Sequence, residues 1–272
     1  MTGEISDEDL RELVTLIKSQ HSYDLGNYAA ASLKRRVGRY LSQCGISFFE
    51  LKYRLTNNQD FFPELLEALT VNVTEMFRDP FFYRALKEKV FPILATYPVI
   101  KIWHAGCSSG EEAFSMAIML KEAGLLHRSR IYATDISTEM LDRAGAGIIP
   151  LHAMKDNTAN YISAGGTEDF SEYYSARYDY AIISQDIRRQ IIFSQHNLVT
   201  DYVFNEFQLV CCRNVLIYFN RSLQDDVIGL LTQSLAPLGF LAIGLKESLQ
   251  FTSHYAKYAT VDAQNKIFRL RG

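Results

Sequence analysis

The sequence predicts an α/β protein with a mostly parallel sheet, a small antiparallel β insertion and an all-α N-terminal domain. Three observations carry this. Up to about residue 75 the apolar positions recur at helical spacing, with no strand alternation and no hairpin signal. From about residue 100 short apolar runs alternate with helical segments, the pattern of parallel strands joined by right-handed crossovers. Residues 148 to about 195 break that rhythm with segments that read as antiparallel strands. The expected domains are therefore 1–75, helical, and 76–272, α/β, with the insertion at about 148–195.

Each element has a local reason. Leu10, Leu13, Val14 and Ile17 share one helical face, as do Leu33, Val37, Tyr40 and Leu41. Ser47, with Glu50 three residues on, caps a further helix start. Residues 99–105 form an apolar run that enters the loop Gly106-Cys107-Ser108-Ser109-Gly110, and a helix follows through Ala113, Met116, Ala117 and Leu120. A second strand is expected at 130–136, followed by a helix from Ser137 through Ala144. In the insertion, 178–183 and 189–193 read as antiparallel strands joined by the polar residues 184–188. Residues 207–212 and 240–245 read as further buried strands. The uncharged stretch 227–245 is long enough to raise the question of a membrane span. Thr232, Gln233 and Ser234 at its centre, and a turn-like Ala236-Pro237-Leu238-Gly239, favour a helix ending near Leu235 and then a strand.

Composition excludes several classes. The 272 residues are 48% hydrophobic and carry 28 Lys+Arg against 31 Asp+Glu, a net charge of -3. This is a globular balance, and it gives no support to a general polyanion binder. Cys44, Cys107, Cys211 and Cys212 lack CxxC spacing, so neither a zinc cluster nor a disulfide framework is expected, and a reducing compartment fits. The six histidines have no ligand spacing; His104 and His196 read as core or cleft-lining, and no metal is expected. The first residues are acidic and lack the basic start and apolar run of a signal peptide.

Chemistry concentrates at strand ends. The loop from Gly106 to Gly110 lets backbone approach a ligand, but its glycines are spaced GxxxG and two acids, Glu111 and Glu112, follow. Carboxylates there repel a pyrophosphate and welcome a cation. The bland alternative is a tight turn with an acidic first helical turn. Asp135, ending the second strand, can accept both ribose hydroxyls of a nucleoside or simply cap the next helix. Together the two features favour an adenosine-type ligand without a pyrophosphate, pointing to S-adenosylmethionine. Arg213 and Asn214 interrupt an apolar strand end, and Tyr218 follows them. Thr74 and Arg78 lie at the junction of the two expected domains, where ligand clefts are common.

These residues carry a resemblance. Asn72-x-Thr74-x-x-Phe77-Arg78, Ser108-Ser109-Gly110-Glu111-Glu112, Ala133-Thr134-Asp135-Ile136, Asn197-Leu198 and Cys212-Arg213-Asn214-Val215-Leu216-Ile217-Tyr218-Phe219 occur in this order. The series resembles the CheR-type chemotaxis receptor methyltransferases, over nearly the whole chain. The resemblance implies a Rossmann-like S-adenosylmethionine-dependent methyltransferase fold and methyl transfer to glutamate carboxylates of bacterial chemoreceptors. It places cofactor binding at Asn72, Thr74, Arg78, Glu112, Asp135, Asn197, Leu198, Arg213 and Asn214, to which Gly106 is added by its place in the loop. Catalytic roles fall on Arg78 and Tyr218. The chain departs from the family at Ala113, where proline is frequent, and at Gly244-Leu245-Lys246-Glu247, where Gly-His-Ser-Glu is common. The second departure bears on the choice of substrate more than on the cofactor.

From Ala29 to Arg54 six basic residues face a single acid, Glu50, while Arg35 and Arg39 lie one helical turn apart. Lys34, Arg35, Arg36 and Arg39 are accordingly expected to dock the acidic methylation helices of a receptor's cytoplasmic bundle. The alternative for this patch is a solvated helix face or a nucleic-acid contact. The remaining expectations are a cytoplasmic monomer with no nucleic-acid partner and no membrane insertion. Two other readings of the chain are a cofactor-binding regulatory protein of the same fold and a methyltransferase acting on RNA or a small molecule.

Overall fold

The computed structural model describes residues 5–21, 23–58, 61–69 and 74–272. The chain forms two compact units, one of Met1–Asn72 with Ile217–Gln224 and one of Val73–Leu216 with Asp225–Gly272.

The first unit is built on α1 (Asp7–His21), α2 (Ala30–Cys44), α3 (Phe48–Asn57) and α4 (Phe61–Leu69). Ser6 and Asp9 cap α1 reciprocally, each side chain accepting from the other's backbone N–H. Ser47 caps α3 by accepting from Glu50 N at 3.1 Å, as its spacing predicts. The core is the apolar stripe of each helix: Leu13, Ile17, Leu33, Val37, Leu51, Leu55 and Leu65 are all buried.

The second unit opens with α5 (Pro80–Ala85), a π-helical stretch at Leu86–Val90 and α6 (Phe91–Leu94). There follow β1 (Ile100–Ala105), α7 (Glu111–Glu122), β2 (Ser129–Asp135), α8 (Thr138–Ala146), β3 (Ile148–Pro150) and α9 (Met154–Ser163). Next come β4 (Tyr174–Arg177), β5 (Tyr180–Ile183), α10 (Gln185–Arg188), β6 (Ile191–Gln195) and β7 (Phe207–Cys212). Then α11 (Arg221–Gln233), whose first turn is counted with the first unit, β8 (Leu235–Ile243), β9 (Tyr258–Asp262) and β10 (Ile267–Leu270) complete the chain. The main sheet runs β6-β2-β1-β7-β8-β10-β9, and β3-β5-β4 forms a separate antiparallel sheet. Strands β6, β2, β1, β7 and β8 are parallel, and β10 is antiparallel to both of its neighbours. The Rossmann-like sheet with a small antiparallel insertion is thus as predicted. No helix among the described residues is long and apolar enough to cross a membrane.

Two details differ from expectation. The run at 189–193 was expected to pair antiparallel inside the insertion, but it is β6 and lies parallel to β2, with Ile131 opposite Ile191. The intervening residues form the short helix α10 rather than a hairpin loop, and Phe193 packs edge-on to Phe114 of α7. The expected turn at 236–239 lies within β8. There the β7–β8 register shifts between Phe207 and Leu209, and Leu238 adopts φ 62°, so the extra residues are absorbed as a bulge. A bulge tolerates Pro237 as a turn would.

Candidate active site

The loop after β1 is tied to the end of β2. Gly106 N and Cys107 N both donate to Thr134 O, at 2.8 and 2.9 Å. Gly106 has φ 75°, and a Cβ there would stand 2.5 Å from a Val215 methyl, so this position requires glycine. Ser108 (φ 50°) and Gly110 (φ 93°) complete the reversal into α7. The loop thereby lies at the carboxyl ends of β1 and β2, where open α/β sheets bind ligands.

Three carboxylates meet there in different states. Asp135 is half-buried, and each of its oxygens takes one backbone N–H, from Ser108 at 2.7 Å and Ser137 at 3.0 Å. Burial nevertheless pushes its carboxyl above the usual range. Glu111 is buried against the Ser109 hydroxyl, and burial raises it as well. Glu112 accepts from His104 Nδ1 through Oε1 and from Arg213 Nη1 through Oε2, each at 2.8 Å. Burial alone would raise Glu112, but the guanidinium and the imidazole N–H outweigh it and hold the carboxyl at about 2.

Arg213 is the hub of this framework. Its side chain is closed to solvent; Nη2 pairs with Asp79 Oδ2 at 2.7 Å, and the guanidinium lies 4.0 Å over the Phe82 ring. What it holds is therefore Glu112 and Asp79. Arg78 sits between two left-handed residues, Phe77 (φ 55°) and Asp79 (φ 56°). Phe77 is fixed by ring contacts with Tyr83, Tyr161 and Phe170 and by its N–H donating to Ser115 Oγ at 2.8 Å. Met76 N donates to Asn157 Oδ1 at 3.1 Å. Thr74 is half-buried at the start of this segment. Asn72 lies outside the described residues.

Asn197 and Leu198, after β6, are half-buried in a turn closed by Asn197 N donating to Asp201 Oδ2 at 2.8 Å. Asn214 (φ 62°) donates its N–H to Glu247 Oε2 at 3.2 Å, and Gly244 N donates to the same oxygen. Glu247 is buried and pins the β7 turn to the end of β8, while Leu245 and Lys246 beside it are exposed. Sequence reasoning gave no part to Glu247, Asp79, Ser115 or Asn157. The signal available was Glu247 at the end of Gly244-Leu245-Lys246-Glu247, where this chain keeps the last residue of the Gly-His-Ser-Glu pattern. His104, Glu112 and Cys211 bring potential metal-ligand atoms within 4.8 Å of one another. Arg213 already neutralises that carboxylate, and burial pushes the Cys211 thiol up, away from the thiolate.

In the helical unit, the Tyr218 ring lies under the Arg36 guanidinium, 4.2 Å from Cζ to centroid, and Tyr218 O accepts from Ala29 N at 2.9 Å. Arg36 is buried, and its Nη1 donates to Leu69 O. It does not share the exposed face of Arg35 and Arg39. Lys34 is half-buried and pairs with Asp7 at 2.9 Å.

The donor set fits a cationic nucleoside. Four acids, Asp79, Glu111, Glu112 and Asp135, surround the loop and its supports, with Arg213 as the paired buried cation. The excess of negative charge suits a ligand carrying sulfonium and ammonium centres, and the acid ending β2 suits a ribose diol. Glycine loop, acid and strand order together define the S-adenosylmethionine-dependent methyltransferases. The chain belongs to the CheR methyltransferase family: the family's all-alpha domain matches residues 8–70 and its S-adenosylmethionine-binding domain matches residues 72–267. The Cher3 protein of Pseudomonas putida is 46% identical over 99% of both chains. A protein named chemotaxis protein methyltransferase 1, from Vibrio cholerae, is 32% identical over 90% of each chain. A chemotaxis protein methyltransferase of Listeria monocytogenes is 29% identical, over 92% of this chain and 93% of its own.

Proposed function

We propose that this protein methylates glutamate side chains of bacterial chemoreceptors, forming the methyl esters of chemosensory adaptation. The observation that carries the reading is the match of both CheR domains along the chain, shared with relatives named as chemotaxis protein methyltransferases. S-adenosylmethionine supplies a methyl group on a sulfonium, activated for direct displacement. A glutamate carboxylate, with a pKa near ~4.3, is already ionised at neutral pH and needs no base to attack. The protein's work is to bind, align and exclude water, which can lower a barrier by roughly 7–11 kcal/mol in the best cases.

In this reading Glu112 receives the ammonium of the donor, Asp135 its ribose hydroxyls, and Asn197 and Leu198 its base. Gly106, Thr74, Arg213 and Asn214 shape the surrounding pocket, and Asn72 is a further cofactor-binding position. Arg78 holds the donor and orients the acceptor carboxylate. Tyr218, its ring set by Arg36, donates a hydrogen bond to the carboxylate oxygen that does not attack. Arg35 and Arg39, exposed on α2, meet the acidic methylation helix in the cytoplasm, with Lys34 at the margin. The test is transfer of a radiolabelled methyl group from S-adenosylmethionine to receptor-containing membranes. Label released by alkali as methanol is expected; cofactor binding without ester formation would overturn the assignment.

A further inference from the structure

The buried framework around Glu112 is larger than a binding carboxylate requires. Each Glu112 oxygen is held by a different partner, and the two partners come from different strands, His104 from β1 and Arg213 from the end of β7. Because a carboxylate only accepts, the shared proton of the 2.8 Å contact lies on His104 Nδ1. His104 Nε2 is buried without a hydrogen-bond partner among the described residues, so this imidazole makes its one polar contact toward Glu112. Arg213 spends its other end on Asp79, the left-handed residue next to Arg78.

From this geometry we infer that His104 and Arg213 are positioning residues for the donor's ammonium. They fix the rotamer of Glu112, and each of its oxygens keeps a further lone pair to accept from the ammonium. This rests on the reading in which Glu112 receives the ammonium. Arg213 cannot be removed without stranding two acids, so His104 gives the cleaner probe.

The test is equilibrium binding of three compounds that share the adenosine part. S-adenosylmethionine and S-adenosylhomocysteine carry the ammonium, and 5′-deoxy-5′-methylthioadenosine lacks it. His104→Ala should weaken the first two equally, by about tenfold, the loss of one hydrogen bond to a charged group. Binding of methylthioadenosine should stay within about twofold, since no partner of its own is removed. In turnover, KM for the donor should rise with kcat little changed. His104→Asn, which offers an N–H donor near the position of Nδ1, should restore most of the affinity. Equal losses for all three compounds would mean a merely structural histidine and would overturn the inference, as would no loss for any. Glu112→Gln separates the two levels. If it leaves ammonium-bearing ligands unaffected, the reading of Glu112 itself falls; if it weakens them while His104→Ala does not, only the inference falls. No receptor enters the binding measurements, so the identity of the methyl acceptor is tested apart.

Discussion

At the scale of single residues, charge burial decides what Glu112 and Tyr218 can do. Glu112 is held at about 2 against an ordinary 4.5, so it stabilises the fold fully above about 4.5 and loses that contribution as pH falls toward 2. The shift corresponds to about 3 kcal/mol. Urea midpoints measured from pH 7 down to 3 should therefore fall steeply for the wild type below pH 4.5. Glu112→Gln should start lower and show a flatter decline across that window; parallel curves would refute the assignment. Tyr218→Phe keeps the ring under Arg36 and removes only the hydroxyl. It should reduce kcat more than tenfold, about 1.4 kcal/mol of barrier, with S-adenosylhomocysteine affinity unchanged. Unaltered turnover would remove Tyr218 from the mechanism. Residue identities of this kind were readable in the sequence, because Glu112, Asp135 and Asn214 sit in motifs at strand ends. Their partners were not. His104 and Glu112 are eight positions apart, and only the closing of the glycine loop brings β1 and the first turn of α7 together.

At the scale of elements, helical arithmetic separates the exposed basic residues of α2 from the buried one. Leu33, Val37, Tyr40 and Leu41 define the buried stripe of α2, and Arg36 falls on that stripe while Arg35 and Arg39 do not. The basic patch thus divides into an exposed pair and a buried guanidinium seated on Tyr218, a division that a count of charges misses. Strand existence was legible from apolar runs, but strand partners were not: periodicity places β6 without saying that β2, far off in sequence, receives it. The bulge in β8 was hidden for a related reason, since Pro-Leu-Gly has the same local chemistry in a turn and in a bulged strand. The glycine loop is the element most open to test. Gly106→Ala must place a methyl 2.5 Å from Val215 at φ 75°, and the left-handed conformation alone costs roughly 1–2 kcal/mol. Chemical denaturation should register at least that loss. Donor affinity should also fall, because Gly106 N and Cys107 N hold the loop against Thr134 O.

At the scale of the molecule, the net charge of -3 averages unlike parts. The loop and its supports are acidic, as a cationic donor requires, whereas α2 exposes Arg35 and Arg39 on a different unit. Attraction between an exposed basic face and an acidic receptor helix acts through water. It is therefore screened within about 8 Å at physiological ionic strength. Donor binding in a buried, hydrogen-bonded site is screened far less. The two dependences separate experimentally. Raising salt should increase KM for the receptor while leaving the dissociation constant for S-adenosylhomocysteine nearly constant. The double variant Arg35→Glu, Arg39→Glu should raise receptor KM at low salt and flatten its response to added salt, with kcat on saturating receptor preserved. Both side chains are exposed, so the thermal midpoint should hardly move. If the variant instead lowered kcat and left the salt response intact, α2 would serve the chemistry rather than the encounter. The docking surface would then have to be sought elsewhere on the protein.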